Sequence, residues 1–216
     1  MTDSPAAVPL RRTLNVGGVL LIVSAVLTFA QPTFFTSPLA GVLSWTATAA
    51  FSIALLVFAF GLGRGGSIVA RRALGVAAAV VAAVWPLVER VLTWVLPYEN
   101  ALAFYGIWGY VSLTVMLAAM IVFVVQIARA GVLRGRVRWM PLWGLVLVAA
   151  PQILAQLLVV ALNVDFRTDD QEWIFLVFGL GQLLSFAVPV GLGIIALVVA
   201  NRPTPVGDPV QVYPPG

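Results

Sequence analysis

The sequence contains no cysteine, no histidine and no lysine, and only 9% of its 216 residues are charged. The absence of cysteine excludes disulfides and thiol catalysis, and the additional absence of histidine excludes the usual zinc sites. Serine–histidine proteases and His-Glu-x-x-His metalloproteases are excluded as well, because both require an imidazole. The five aspartates lie outside the long apolar runs and lack the spacing of a calcium-binding loop. We therefore expect no enzymatic activity, no metal ion and no cofactor.

Long apolar runs make up most of the chain. Hydrophobic residues account for 62% of it, against about 45–50% in soluble domains, so lipid must be its main solvent. A helix needs about 20 predominantly apolar residues to cross a bilayer. Six runs are long enough, at residues 16–35, 41–62, 73–96, 105–128, 140–162 and 173–200. Because they lack the alternation of a β-barrel strand, the sequence predicts an all-α integral membrane protein, a bundle of six transmembrane helices.

The apolar runs divide the chain into three parts. Residues 1–13 are predicted as a cytoplasmic N-terminal tail, residues 14–200 as the transmembrane domain, and residues 201–216, with five prolines, as a disordered cytoplasmic tail. The first run follows Arg11 and Arg12, as the apolar part of a signal peptide would. It is long for such a segment, and we therefore expect a retained first helix.

The charged residues between the runs predict the orientation of the bundle. With the N-terminus inside, the inner segments hold ten arginines and two acidic residues, a net charge of +8. The outer segments hold two arginines and six acidic residues, a net charge of −4. Because basic loops stay in the cytoplasm, we expect both termini inside. Abundant alanine, valine, glycine and arginine without lysine further indicate a GC-rich bacterial genome, and hence the cell (inner) membrane.

Two inner connections have distinctive compositions. One carries Arg129, Arg134, Arg136 and Arg138, which we expect to contact anionic lipid headgroups. Docking of a cytoplasmic partner is the alternative for this loop. The other, residues 61–67, is rich in glycine but lacks the lysine and the preceding strand of a phosphate-binding loop. We expect it to be a flexible connection.

Glu89 and Arg90 are unusual because they interrupt an apolar run. Ionisable residues at membrane depth are costly and are often functional. If the third helix instead leaves the membrane near Val88, both residues are interfacial and structural. Trp85 and Pro86 precede them, and the proline predicts a kink because it removes a helical hydrogen bond. A ligand-binding role and a structural role both remain open for the pair.

Uncharged polar side chains form stripes on several runs. Gln152 and Gln156 share a face of the fifth run, and Gln182 of the sixth should lie at a depth similar to that of Gln152. In the predicted orientation these glutamines lie towards the outer side, where they would line a pocket rimmed by Glu89 and Arg90. Alternatively they form hydrogen bonds between helices, each worth about 0.6–2 kcal/mol, with no ligand involved.

Small residues at four-residue spacing predict where helices pack closely. Gly75, Ala79 and Ala83 form such a ladder on the third run, and Ala187 with Gly191 forms another on the sixth. Backbones approach each other at these positions because no large side chain separates them.

Two functions from different classes are compatible with these residues. The first is a non-enzymatic membrane protein that binds or transports a small molecule through a polar pocket open to the outer side. Its candidate ligand-binding residues are Gln152, Gln156, Gln182, Glu89 and Arg90. The second is a structural or accessory subunit that docks a partner through lipid-buried faces and the basic inner loop. Either function is compatible with homo- or hetero-oligomers in the lipid bilayer, and we expect no nucleic-acid partner.

Overall fold

The structure, a computed structural model, describes most of the apolar runs and part of the connections. It covers residues 7–34, 37, 39–63, 65–95, 101–133, 135–161 and 172–202, with the backbone alone at 7, 101–107, 155, 158–161, 172–175 and 177–178. Arg134, the acidic connection at residues 162–171 and the predicted disordered tail beyond Arg202 lie outside these residues. The predictions made for them stay predictions.

Six helices follow one another along the described chain. They are α1 (Ala7–Ala30), α2 (Leu39–Phe60), α3 (Ala73–Val95), α4 (Ala101–Ala130), α5 (Met140–Ala161) and α6 (Glu172–Asn201). Short 3₁₀ turns, Gln31–Phe34 and Gly135–Trp139, precede α2 and α5. Each helix contains a stretch long and apolar enough to cross a membrane, and the described residues contain no strand. The predicted all-α class with six long apolar helices is therefore confirmed.

The first helix differs most from its predicted span. It begins at Ala7 rather than near Val16, so Arg11 and Arg12 lie on the helix, where both are exposed. The apolar run indicates which part of a helix lipid can surround, whereas the helix itself continues through arginine, a strong helix former. The other five helices begin and end within four residues of their predicted spans.

The helices pack as a ring in chain order, with α6 returning against α1. One end of the ring holds the start of α1, the end of α6 and the α2–α3 and α4–α5 connections, and we call it the arginine-rich end. All described arginines except Arg90 lie there and are exposed, namely Arg11, Arg12, Arg71, Arg72, Arg129, Arg136, Arg138 and Arg202. This clustering agrees with the predicted segregation of charge. Which side of the membrane this end faces stays a prediction.

Glycines bring α1 and α6 into direct backbone contact. A Cβ atom at Gly18 would lie 2.8 Å from the carbonyl oxygen of Gly193, and one at Gly193 would lie 2.7 Å from that of Gly18. Ala196, one turn further along α6, is buried in the same contact. The α1–α6 pair is consequently the most extensively packed pair of the ring.

The two predicted ladders of small residues have different outcomes. Gly75, Ala79 and Ala83 are buried on α3, as the spacing predicts. The ladder predicted on α6 is wrong, because Ala187 is exposed and a Cβ atom at Gly191 would meet no described atom within 4 Å. Spacing alone does not indicate which of several small-residue faces meets another helix.

The second half of the connection between α2 and α3 is packed against the bundle, whereas Leu62, Gly63 and Gly65 in its glycine-rich half are exposed. Ser67, Ile68 and Val69 are buried. The Ser67 hydroxyl donates to the carbonyl of Ala59, and the N–H of Ile68 donates to the carbonyl of Phe58 at 3.1 Å. These bonds satisfy two of the four carbonyls that the end of α2 leaves without helical partners. The connection thereby closes one side of the arginine-rich end.

Candidate ligand-binding cavities

A central cavity of about 300 Å³ lies inside the ring. Side chains of α1, α2, α4, α5 and α6 line it, together with Ile68 of the α2–α3 connection and Leu133 and Val137 of the α4–α5 connection. It extends from Val137, at the arginine-rich end, to the level of Gln152 near the middle of α5. Gln152 is the only polar residue among the described residues that line it. The cavity is therefore suited to an apolar occupant.

The cavity is partly open to the outside of the bundle rather than sealed, so the free-energy cost known for closed voids in protein cores does not apply to it directly. Water is a poor filler, because each buried molecule needs about two to four polar partners and the described lining offers only Gln152. A hydrocarbon group, from lipid or from an apolar ligand, is the closer chemical match to this lining.

The wall of the central cavity is thinnest between α4 and α5. Both helices line the cavity, yet they touch each other less than any other neighbouring pair of the ring. We call this gap the α4–α5 seam. α5 is held from its other side, where Gly144 lies so close to α6 that a Cβ atom there would be 2.9 Å from Val188 Cγ1.

The three predicted glutamines do not converge on one pocket. Gln152 lies at the edge of the central cavity, where its Nε2 donates to Ser185 Oγ of α6 at 3.3 Å. Gln156 and Gln182 are exposed and line neither the central cavity nor the polar pocket described next. The bond of Gln152 is of the interhelical kind that the packing interpretation expects. A ligand-binding role for the other two glutamines stays a prediction.

A second pocket, of about 370 Å³ and polar in character, lies between α2, α3 and α4, away from the arginine-rich end. Its lining residues are Thr48, Pro86, Glu89, Arg90, Thr93, Trp108 and Gly109. α3 continues past Pro86 to Val95, so Glu89 and Arg90 lie within the helix, where both are half-buried. This polar pocket unites the two predicted charged residues but excludes the three glutamines.

A chain of hydrogen bonds between α3 and α4 holds the Glu89 carboxylate. The indole N–H of Trp85 donates to Ser112 Oγ at 2.8 Å, and the Ser112 hydroxyl donates to Glu89 Oε1. Trp85 also stacks on Trp108, with ring centroids 5.4 Å apart and planes inclined by 14°. Trp85 and Glu89 are four residues apart and lie on one face of α3. Trp108 and Ser112 are also four residues apart and lie on one face of α4.

Sequence reasoning missed the partners that orient Glu89. The four-residue spacing of Trp85 and Glu89 was a usable signal, because it places an indole N–H and a carboxylate on one helical face. Ser112 gave no signal, since a single serine in an apolar run is ordinary in membrane helices. Its role depends on which face of α4 meets α3, and only the fold shows that.

The predicted headgroup-binding arginines remain at the surface. Arg129, Arg136 and Arg138 are exposed at the arginine-rich end, while Arg134 lies outside the described residues. The guanidinium of Arg138 lies 5.5 Å from the centroid of the Trp139 ring, a cation–π distance. Exposure suits contact with lipid headgroups and contact with a partner protein equally, and both roles stay predictions.

Comparison of the chain with protein-family models, curated proteins and solved structures finds no match. The class of the protein therefore rests on its own residues. Six long apolar helices packed in one ring indicate a multi-pass membrane protein. Within that class, the apolar central cavity and the charged polar pocket are the features from which a function can be argued.

Proposed function

We propose that this multi-pass membrane protein binds a small apolar molecule in its central cavity and catalyses no reaction. The cavity carries the proposal, because its volume of about 300 Å³ reaches the range of small-molecule sites, about 300–1,000 Å³. The small-molecule role predicted from the sequence is kept. The chemistry of the site changes, however, from a pocket lined by polar groups to one lined by hydrocarbon.

The side chains that line the cavity define the ligand class. Phe51 and Phe123 offer aromatic surface, and Met116 and Met120 offer flexible, polarizable side chains that adapt to ligands of different shapes. At the edge of the cavity the Gln152 amide supplies a single polar contact. An uncharged molecule with a hydrocarbon body and at most one polar group is the best match.

The α4–α5 seam supports entry of the ligand from the bilayer. Apolar molecules partition into lipid, and in a membrane the seam would face lipid directly. The arginine-rich end is a poor route, because Ile68 and Val69 of the packed α2–α3 connection are buried there. We place the protein in the cell (inner) membrane on the basis of its composition, with the arginine-rich end in the cytoplasm.

Filling the cavity from a single position tests this function. Ala149 of α5 lines the cavity, whereas Ala150 is exposed and does not. We expect Ala149→Phe to abolish saturable binding of 1-aminoanthracene, an uncharged aromatic amine that fluoresces in apolar sites. Because the phenyl ring occupies empty space, we also expect the free energy of unfolding to rise by about 1 kcal/mol. Overpacking a filled core would instead lower it by about 1–3 kcal/mol.

The control for this experiment is Ala150→Phe, measured by fluorescence titration and thermal unfolding in the same detergent. It should retain the binding of the unsubstituted protein, so that partitioning of the amine into micelles is subtracted. Equal saturable binding by the two variants would contradict the site. A destabilised Ala149→Phe protein would show that protein atoms already fill the space, and the proposal would then fail.

The seam also supports the accessory role as a second candidate function. A helix of a partner protein packed against α4 and α5 would cover the gap that these helices leave. Native mass spectrometry of the protein released in mild detergent separates the two functions. A retained apolar small molecule supports the first function, and a retained polypeptide supports the second.

A further inference from the structure

Glu89 and Arg90 place opposite charges in one pocket without pairing them. Both line the polar pocket and both are half-buried, yet neither forms an ion pair with any residue that the structure describes. We propose that the polar pocket binds a zwitterion, with the ligand's ammonium group at Glu89 and its anionic group at Arg90. The site is separate from the central cavity and does not depend on the ligand proposed there.

The Glu89 carboxylate is positioned for a donor that the protein does not supply. Ser112 donates to Oε1 and is itself held by the indole N–H of Trp85. Oε2 receives no hydrogen bond from the described residues. An ammonium group carries three N–H donors and no acceptor, which is the complement of this oxygen. Because two helices already fix the carboxylate, binding would cost little reorganisation.

Two threonines of the polar pocket also favour an ammonium group. The Thr48 hydroxyl donates to the carbonyl of Ser44 at 3.0 Å, and the Thr93 hydroxyl donates to the carbonyl of Arg90 at 2.8 Å. With the single hydroxyl proton used in this way, each oxygen keeps only its capacity to accept. Trp108 adds aromatic surface, which attracts cations. Among the described residues that line the polar pocket, Arg90 is the one that carries a positive charge for an anion.

A ligand with both charges suits the polar pocket better than a simple cation or anion. A cation alone would leave the Arg90 guanidinium without an opposite charge, and an anion alone would leave the Glu89 carboxylate without one. Because both groups are half-buried, their hydration is reduced, and compensating each charge gains more than it would at a fully exposed position. The volume of about 370 Å³ is that of a small-molecule site. A zwitterion compensates both groups at once.

Two sources provide this chemistry. One is a free zwitterion in solution, and the other is the headgroup of a zwitterionic phospholipid in the bilayer. O-phosphoethanolamine is a suitable probe, because it is soluble and carries the ammonium and phosphate groups of the phosphatidylethanolamine headgroup. Ethanolamine and inorganic phosphate each carry one of its two charges.

Isothermal titration calorimetry of the full chain in maltoside micelles tests the proposal. We expect phosphoethanolamine to bind at least about tenfold more tightly than ethanolamine or phosphate. Glu89→Gln, which keeps an oxygen for Ser112, should reduce its affinity to that of phosphate. Arg90→Gln should reduce it to that of ethanolamine. Arg129→Gln, at an exposed arginine of the opposite end, should leave it unchanged.

A second titration, with phosphatidylethanolamine added to the micelles and phosphatidylglycerol as the control, identifies the source. Competition by phosphatidylethanolamine alone assigns the pocket to a lipid headgroup, and undiminished binding assigns it to a free zwitterion. The proposal is overturned if phosphoethanolamine binds the unsubstituted protein no more tightly than phosphate does. It is equally overturned if Glu89→Gln and Arg90→Gln both bind as the unsubstituted protein does.

Discussion

Two pairs of adjacent helices in the ring, α1–α6 and α4–α5, differ in how closely their helices pack. α1 and α6 meet at Gly18 and Gly193, where the two backbones touch, and Phe29 packs on Phe186 with ring centroids 4.7 Å apart. α4 and α5 leave the central cavity between them. Apolar surface gives helices little reason to associate in lipid, so contact needs a close backbone fit or hydrogen bonds. Among the described residues, α4 and α5 share neither a close backbone contact nor a hydrogen bond, and space remains between them.

The largest effect is expected from breaking the α1–α6 contact. A Cβ atom at Gly193 would lie 2.7 Å from the Gly18 carbonyl oxygen, so Gly193→Ala should force the helices apart and lower the free energy of unfolding by about 1–3 kcal/mol. Gly191→Ala is the matched control, because open space surrounds that position among the described residues. Alanine favours the helix by about 0.5–1 kcal/mol, so the control should be neutral or stabilising. Equal thermal unfolding of the two variants would contradict the contact.

A smaller effect is expected from removing a hydrogen bond between α2 and α3, another pair of adjacent helices in the ring. The Ser52 hydroxyl of α2 donates to the carbonyl of Ala83 of α3 at 2.6 Å. We expect Ser52→Ala to lower the free energy of unfolding by about 1 kcal/mol. Ser44 lies on the same helix and is also buried, but its Oγ has no hydrogen-bond partner among the described residues. Ser44→Ala removes a buried hydroxyl that lacks such a bond and should leave the free energy of unfolding unchanged or raise it, and a loss as large as that of Ser52→Ala would refute the assignment.

The smallest effect on stability is expected at the arginines of the two pairs. Arg136 and Arg138 are exposed on the connection between α4 and α5, whereas Arg11 donates to Asn201 Oδ1 across α1 and α6 at 3.1 Å. Replacing Arg136 and Arg138 with glutamine should leave thermal unfolding unchanged. It should weaken retention of anionic lipids by about 1 kcal/mol per arginine, measured by native mass spectrometry. Arg11→Gln serves as the comparison, and undiminished lipid retention in the double variant would count against headgroup binding.

Much of the fold was predictable because lipid imposes strict limits on length and charge. Apolar length located all six helices, and the arginines that the structure describes in the connections share one end of the ring. The ladder of Gly75, Ala79 and Ala83 also follows directly from its spacing. These features could be predicted because apolar length, charge and small-residue spacing are properties of each segment taken separately.

The arrangement inside the ring was less predictable, because lipid surrounds the helices and polarity does not mark their outer faces. In water, a polar stripe marks the outer face of a helix, but in lipid a polar residue gains from any partner it can reach. All three glutamines are exposed, and Gln152 forms a hydrogen bond with Ser185 of the neighbouring helix. The central cavity could not be predicted from the sequence, because residues that line it and residues that face lipid are equally apolar.

The Gly18–Gly193 contact also has a consequence for the order of assembly. These glycines belong to α1 and α6, and the other four described helices are synthesised between them. Membrane helices are inserted one after another and associate afterwards. The ring therefore cannot close during translation until α6 has entered the bilayer. Until that moment, the glycine face of α1 is open to lipid, to the insertion machinery or to a neighbouring chain. Late closure therefore makes this face the surface of the nascent protein that is most exposed to misassembly.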